Sequence, residues 1–238
     1  MSLVAVVLSC AAALLGAAVL AAGIASRARA SSVIYGVSLG ASAIACVTGV
    51  VQLVQPSPAV LTLPLGLPWL GAHFNLDALA AVFVFIVNLG GAAASLYALG
   101  YGKHEPFPGR VLPFYPAFLA GMNLVVLADD AFTFLLCWEF MSLASWALVV
   151  AHHKVADNVR AGYVYLLMAS FGTLTLLLAF GLLAGPEGAY GFAAMRASVQ
   201  TPLVNALVLG LVLIGAGSKA GPEQARPRRR RRALPGFR

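Results

Sequence analysis

Long apolar runs divide this chain, and they constrain its fold more than any other feature. Each run is about 20 residues long, the length that a helix needs to cross a bilayer. Hydrophobic residues make up 61% of the sequence and charged residues 10%, which leaves too few charges to cover a water-soluble protein. The sequence therefore predicts an all-α, polytopic transmembrane helix bundle of about seven spans. The runs are residues 3–24, 33–54, 76–101, 112–127, 131–150, 161–183 and 203–217.

The segment 55–74 interrupts this apolar pattern. Its prolines exclude a continuous helix, because proline lacks the amide hydrogen that a helix interior requires. We expect an exposed loop outside the membrane, with room for a short hairpin. The prolines are Pro56, Pro58, Pro64 and Pro68.

Basic residues in the short loops predict the orientation of the bundle, since loops rich in lysine and arginine stay in the cytoplasm. Every second loop carries two of them, whereas the loops between hold only Arg196 and include the acidic pair Asp129-Asp130. The amino terminus is therefore expected outside and the carboxyl-terminal tail inside. The loop pairs are Arg27 and Arg29, Lys103 and Arg110, and Lys154 and Arg160.

The first apolar run has a second interpretation, as a secretory signal. Ala28-Arg29-Ala30 has the small-x-small pattern of a cleavage site. However, the run is longer than the apolar part of a signal, and no basic segment precedes it. A membrane-spanning helix is therefore favoured.

The fifth run has a glutamate in its middle. At a rise of about 1.5 Å per residue, Glu139 lies about 12 Å from the start of a helix that begins at residue 131. That is close to the centre of a hydrocarbon layer about 30 Å thick. A charge at this depth costs at least about 2.5 kcal/mol, so such acids usually face a protein interior and mark ion or proton paths. The pattern favours a proton relay at Glu139; a protonated acid satisfied by neighbouring hydroxyls is the alternative.

Ser142 and His153 lie on the same helical face as Glu139. His153 would be roughly 21 Å from Glu139, at the predicted cytoplasmic mouth. Because histidine titrates near neutral pH, it could pass protons toward Glu139 through Ser142 and trapped water. The sequence His152-His153-Lys154 would equally suit an ordinary loop at the membrane interface.

Lys219 is the second charge within apolar sequence, and it follows Gly215 and Gly217. Glycines allow an unwound or broken helix, which is a frequent setting for ion sites in membranes. A lysine in such a place exchanges its proton according to whether a nearby carboxylate is charged. If the helix ends at Gly221, Lys219 can instead reach the aqueous interface and stay hydrated.

Cys10, Cys46 and Cys137 all lie in apolar runs, without Cys-x-x-Cys or clustered His and Cys spacing. The sequence therefore predicts no metal, no redox cofactor and no disulfide in this chain.

Five motifs stand out against the apolar background. They are Asn75-Leu76-Asp77, Trp138-Glu139-x-Met141-Ser142-Leu143, His152-His153-Lys154, Arg160-Ala161-Gly162-Tyr163-x-Tyr165-Leu166 and Gly215-x-Gly217-x-Lys219-Ala220-Gly221. Together they resemble the antiporter-like, proton-conducting membrane subunits of respiratory complex I and energy-converting hydrogenases. Within that family the sequence is most similar to hydrogenase-4 component B and the matching formate hydrogenlyase subunit, over residues 33–221.

The resemblance implies a role for each charged position. Glu139 corresponds to the family's fifth-helix glutamate and Lys219 to the lysine of its broken seventh helix, a pair that couples redox-driven conformational change to proton movement. It also implies partner membrane and peripheral subunits, and a location in a bacterial or archaeal plasma membrane. One branch of the family has an acid in the sixth helix near Thr173, and its absence here points away from complex I and Mrp-type members.

Residues 222–238 form a basic tail that differs from the transmembrane domain, residues 1–221. The tail holds most of the net charge of +7. The family continues with further helices after the Lys219 motif, so the abrupt change at Pro222 leads us to expect a truncated or frameshifted product. The tail could be solvated and disordered, attracted to anionic lipid, or bound to nucleic acid. No aromatic residue is interleaved with the arginines before Phe237, which argues against nucleic acid.

The sequence thus predicts a membrane subunit that translocates protons through a Glu139 and Lys219 pair. Its complex would be a membrane-bound hydrogenase or an NADH:quinone oxidoreductase, with catalysis in partner subunits. One alternative is an Mrp-type cation/proton antiporter subunit, for which sodium dependence would be the test. An inactive fragment is the other alternative.

Overall fold

The structure is a computed structural model of the 238-residue chain. It describes residues 1–27, 29–55, 59–65, 71–102, 105, 107–152, 156–198 and 200–220. Of residues 152, 156–158, 219 and 220 only the main chain is described. His153 and the basic tail 222–238 lie outside the described residues.

The described part of the chain is almost entirely helical, as the apolar runs predict. Two short strands, β1 (Val60–Leu63) and β2 (Ala72–Asn75), form an antiparallel hairpin within the proline-rich segment. The helices are α1 (Leu3–Ile24), α2 (Ala30–Val54), α3 (Ala78–Tyr101), α4 (Phe114–Leu127), α5 (Ala131–Val149), α6 (Ala156–Ala184), α7 (Phe192–Ala197) and α8 (Pro202–Ala220).

Six of the helices in the described residues are long and apolar enough to cross a membrane. They comprise α1, α2, α3, α5, α6 from Val159, and α4 extended back to Pro108. The seventh apolar run forms a shorter apolar helix, Pro202–Ser218. The all-α polytopic fold is therefore confirmed, with six full-length candidate spans and one shorter helix.

Polar residues decide where two of the spans begin. The Asp77 carboxylate accepts a hydrogen bond of 2.7 Å from the Ala80 amide at the start of α3. The Asp130 carboxylate accepts one of 2.8 Å from the Thr133 amide at the start of α5. Each side chain satisfies an amide that would otherwise lack a partner in the first helical turn.

The first four helices pack into one group. Helix α1 packs against α2 and α4, and α3 packs against α2 and α4. Gly49 lies at a close approach between α2 and α3, since a Cβ atom there would lie 2.9 Å from the Ala81 carbonyl oxygen. Gly36 and Gly40 have the spacing that is typical of helix contacts. However, a Cβ atom added at either glycine would have no neighbour within 4 Å. Small residues therefore permit close packing only where the partner helix lies.

The remaining long helices extend from this group. Helix α5 packs against α4, and a Cβ atom at Gly121 would lie 2.9 Å from the Met141 Cα. Helix α6 packs against both α5 and α8. The bundle thus continues from α4 through α5 and α6 to α8.

Three connections meet at one end of the bundle, which we call the hairpin end: the hairpin, residues 128–130 and residues 185–192. The Asp129 amide donates to the His73 carbonyl at 2.9 Å, and the Ala131 amide donates to the Tyr190 carbonyl at 3.0 Å. Asp130 is fully buried there, and its carboxylate also accepts from the His73 amide at 3.0 Å. The segments predicted to lie outside therefore share one end.

The loops between α1 and α2, α3 and α4, and α5 and α6 lie at the opposite end, which we call the basic end. The Ser31 hydroxyl donates to the Gly102 carbonyl, and the Arg110 guanidinium donates to the Ala151 carbonyl, both at 3.4 Å. The predicted alternation of loops is thus present. Which end faces the cytoplasm stays a prediction.

Candidate proton-relay site

Glu139 faces α6, where it meets a hydroxyl. It is half-buried in the middle of α5, and the Thr173 hydroxyl donates a hydrogen bond to its Oε1 atom. Glu139 is the ionisable member of this pair, and it lies about 12 Å along α5 from the hairpin end. The structure therefore gives the acid in the middle of α5 a polar partner on the neighbouring helix.

Thr173 lies on the face of α6 that packs against α5. Ala169 and Phe180 lie four residues before and seven after it, the spacing of one helical face. The Phe180 ring contacts the Phe134 ring of α5 at 5.9 Å between centroids. The Thr173 hydroxyl also lies 3.2 Å from the Ala169 carbonyl oxygen of its own helix. One hydroxyl thus reaches two acceptors.

The face of α5 that the sequence predicts to form a relay packs along α6 over much of its length. A Cβ atom at Gly162 of α6 would lie 3.5 Å from the Trp146 Nε1 and would also meet the Val150 side chain. Ser142 is fully buried, and its hydroxyl donates to the Trp138 carbonyl at 2.7 Å. Leu143 is 49% exposed and lies off this contact. His153, the proposed end of the path, falls outside the described residues.

Lys219 belongs to α8, which packs against α6. Its main chain is helical, and the preceding Ser218 hydroxyl donates to the Met168 carbonyl of α6 at 3.2 Å. Met168 precedes Thr173 by five residues, so the Lys219 main chain lies about 8 Å from the Thr173 level, toward the basic end. Helix α6 therefore lies between the helices of the two predicted relay residues.

The glycines before Lys219 do not break the helix. Helix α8 is continuous from Pro202 to Ala220, although the sequence suggested an unwound segment there. A Cβ atom at Gly215 would lie 2.7 Å from the Thr175 Oγ1 and 3.1 Å from the Gly172 carbonyl oxygen. This glycine is needed for the close approach of α6 and α8, so its role here is packing.

Thr173 and a pair of buried amides are the polar residues that sequence reasoning missed. In the sequence, Thr173 stands out only as the place where another branch of the family has an acid. Asn88 and Asn123 exchange hydrogen bonds of 2.6 and 3.3 Å between α3 and α4. Both are buried. Polar side chains inside apolar runs were the available signal.

The described residues contain no group of three or more His, Cys, Asp or Glu side chains that could hold a metal ion. Cys10, Cys46 and Cys137 are free thiols. The chemistry of the described site is therefore that of a carboxyl group and a hydroxyl.

A family model matches residues 128–222, and its description is NADH:quinone oxidoreductase/Mrp antiporter, TM. The matched segment contains α5, α6, α7 and α8, and so it includes Glu139, Thr173 and Lys219. The α1 to α4 group lies before it. The match thus coincides with the part of the bundle that carries the candidate relay.

Two curated proteins are similar over a comparable length. An uncharacterised protein of Mycobacterium tuberculosis (strain ATCC 25618 / H37Rv) is 37% identical over 156 residues, 65% of this chain and 24% of that protein. Hydrogenase-4 component B of Escherichia coli (strain K12) is 32% identical over 149 residues, 62% of this chain and 22% of that protein. The matched part is thus about a quarter of each relative's length.

A solved structure shares the fold. The Mrp complex from Dietzia sp. DQ12-45-1b contains a chain that superimposes with a TM-score of 0.69 at 24% sequence identity. The superposition covers 87% of this chain and 23% of that one. At this identity the likeness concerns the fold alone. Over α5 to α8 the chain matches the family model of NADH:quinone oxidoreductase/Mrp antiporter transmembrane subunits, and its relatives by sequence include a hydrogenase-4 component.

Proposed function

We propose that this chain is the proton-translocating part of a membrane subunit in an energy-converting respiratory complex. The complex would be a membrane-bound hydrogenase or an NADH:quinone oxidoreductase type of assembly in the plasma membrane of a bacterium or archaeon. Electron transfer would take place in partner subunits, and this chain would move protons in response.

The observation that supports this proposal is the hydrogen bond between Glu139 and Thr173 across α5 and α6. The bond joins an ionisable group in the middle of α5 to another helix, within the segment that the family model matches. Intramembrane acids with a polar partner are typical of proton paths. An acid with no such role would be a costly feature in an apolar helix.

Charge on Glu139 would couple to Lys219 through α6. Two unit charges separated by two helix packings, about 18 Å, interact by about 0.9 kcal/mol at an effective dielectric constant of 20. An interaction of that size changes a protonation equilibrium by about fivefold. Glu139 and Lys219 therefore need no direct contact in order to influence each other. Ser142 and His153 would extend the path toward the basic end.

The test is proton uptake by vesicles that contain the native complex, purified through a tag on this chain. Glu139→Gln keeps the size of the side chain and its acceptor oxygen but removes the exchangeable proton. We expect the flux to fall to the passive leak, while electron transfer to an artificial acceptor continues. Glu187→Gln is the matched control, because Glu187 is exposed in the connection after α6. Unchanged proton flux in the Glu139 variant would contradict the proposal.

The same vesicles distinguish an Mrp-type antiporter subunit, an alternative that the family description, NADH:quinone oxidoreductase/Mrp antiporter, also supports. Sodium-dependent pH changes without any dependence on electron transfer would favour that alternative. Recovery of the tagged chain without any partner subunit would instead favour an inactive fragment.

A further inference from the structure

We propose that Thr173 is a positioning residue whose hydroxyl changes acceptor as Glu139 gains and loses its proton. The inference rests on the proposed function in one respect, namely that Glu139 exchanges protons. It adds a second residue to the relay and assigns it a defined movement.

The proposal begins from the number of protons available. A threonine hydroxyl has one hydrogen to donate and lone pairs that accept. The Thr173 Oγ1 lies within hydrogen-bond reach of both the Glu139 Oε1 and, at 3.2 Å, the Ala169 carbonyl oxygen. It cannot donate to both acceptors at once. Each protonation state of Glu139 therefore selects one arrangement.

When Glu139 is ionised, its carboxylate only accepts, so the Thr173 hydroxyl donates to it. When Glu139 takes up a proton, the new O–H group donates to the Thr173 oxygen, and the Thr173 hydrogen turns toward the Ala169 carbonyl. One proton is added to Glu139 and none leaves Thr173. The carboxyl group keeps a hydrogen bond in both states, which avoids the cost of an unpaired polar group in apolar surroundings.

The surrounding packing holds the two helices while the hydroxyl turns. Gly172 is tightly packed on α8, since a Cβ atom there would lie 2.8 Å from the Gly215 carbonyl oxygen. On the α5 side, Phe180 packs against Phe134 one to two turns away. Threonine in a helix readily bonds the carbonyl four residues before it. The Thr173 hydroxyl hydrogen can therefore rotate at a small cost in free energy while the two helices stay in place.

The other ionisable groups near α5 lie at its ends or on other faces. Asp130 is at the hairpin end and bonds the Thr133 and His73 amides. Tyr115 of α4 bonds Ser95 of α3 at 2.8 Å. Arg160 of α6 lies about 20 Å along that helix from Thr173. Cys137, two residues from Glu139, is buried. Among the described residues, Thr173 is the hydrogen-bond partner of Glu139.

The test is infrared difference spectroscopy of the native complex between high and low pH. Glu139→Gln identifies the carbonyl stretch of protonated Glu139 as the band that disappears. Thr173→Val replaces the hydroxyl with a methyl group of similar size, so that band should move to higher wavenumber, and proton flux should fall about three- to tenfold. Thr173→Ser keeps the hydroxyl and should restore both.

Thr175→Val is the matched control. Thr175 lies two residues further along α6, and its hydroxyl donates to the Gly172 carbonyl at 2.8 Å. Its removal should leave the Glu139 band in place. An unmoved band in Thr173→Val, or an equal shift in Thr175→Val, would overturn the inference. Thr173→Ala serves as a second hydroxyl-free variant if Thr173→Val does not assemble.

The outcome is separable from that of the proposed function. If Glu139→Gln leaves the flux unchanged while Thr173→Val shifts the Glu139 band, the exchange of hydrogen bonds stands and proton translocation through Glu139 fails. If Glu139→Gln abolishes the flux while Thr173→Val leaves the band unmoved, the reverse holds.

Discussion

The polar interior of α1 to α4 differs in kind from that of α5, α6 and α8. In the first group, Asn88 and Asn123 use all of their amide hydrogens. Each amide nitrogen donates to the other residue and to a carbonyl of its own helix, that of Val84 or Leu119. In the second group, the single hydroxyl hydrogen of Thr173 has two acceptors within reach, the Glu139 carboxylate and the Ala169 carbonyl oxygen.

This difference indicates two uses of polar groups inside a bilayer. The asparagine pair is neutral and its donors are satisfied, so it fixes α3 against α4 without exchanging protons. The Glu139 and Thr173 pair can gain a proton and remain hydrogen-bonded. We expect the first pair to contribute to stability and the second to transport.

The largest expected effect concerns the junction between the two groups. Asp130→Ala removes a fully buried carboxylate that caps α5 and bonds the hairpin through the His73 amide. We expect a loss of about 3 kcal/mol in the free energy of unfolding, measured by denaturation in mixed micelles. Asp129→Ala is the control, because the Asp129 carboxylate accepts a long hydrogen bond of 3.5 Å from the Asn75 side-chain amide. Equal losses would mean that the junction does not depend on Asp130.

The glycine contacts give the next largest effect. Gly49→Ala would place a methyl group against the main chain of α3, at 2.9 Å from the Ala81 carbonyl oxygen, and should cost about 2 kcal/mol. Gly215→Ala meets the Thr175 and Leu176 side chains at 2.7 and 2.9 Å, and the main chain only at 3.1 Å, at the Gly172 carbonyl oxygen. It should cost about 1 kcal/mol, because side chains adjust more easily than the main chain.

Gly40→Ala is the control for both variants, since nothing lies within 4 Å of its added methyl group. We expect no loss of stability there. Thermal unfolding of the variants in one detergent would rank them. A Gly215 variant less stable than the Gly49 variant would show that the α6 and α8 contact is the more rigid one.

The asparagine pair should show a smaller, coupled effect. A double-mutant cycle of Asn88→Ala and Asn123→Ala should give a coupling energy of about 1 kcal/mol, the usual upper range for bonds between membrane helices. Proton flux in the single variants should follow the amount of assembled protein. A flux that falls more than the amount of protein would mean that this pair also belongs to a proton path.

The smallest expected effect on stability is that of Glu139→Gln. The amide oxygen of glutamine can still accept from Thr173, so the free energy of unfolding should change by less than about 0.5 kcal/mol. Denaturation of this variant beside the Asn88 variant tests the comparison directly. A loss larger than that of Asn88→Ala would indicate that the charge of Glu139 supports the fold.

Much of the fold could be predicted from the sequence. The apolar runs marked the helices within a few residues, although α6 begins at Ala156 rather than at residue 161, because its first turn is polar. The prolines marked a segment that contains a hairpin. Gly36 and Gly40 have the spacing of a helix contact but meet no neighbour within the described residues, and the glycines before Lys219 do not unwind α8. A glycine pattern shows where close approach is possible but not which helix approaches.

The sequence by itself determined the order of the long apolar helices and the place of Glu139 in the middle of α5. These follow from local properties: hydropathy, helix rise and the positions of proline and aspartate. Only the tertiary structure decided that Glu139 meets Thr173 and that α6 lies between α5 and α8. Lipid is as apolar as a leucine side chain, so hydrophobic residues occur on every face of a membrane helix. Their pattern therefore cannot indicate which face meets which neighbour.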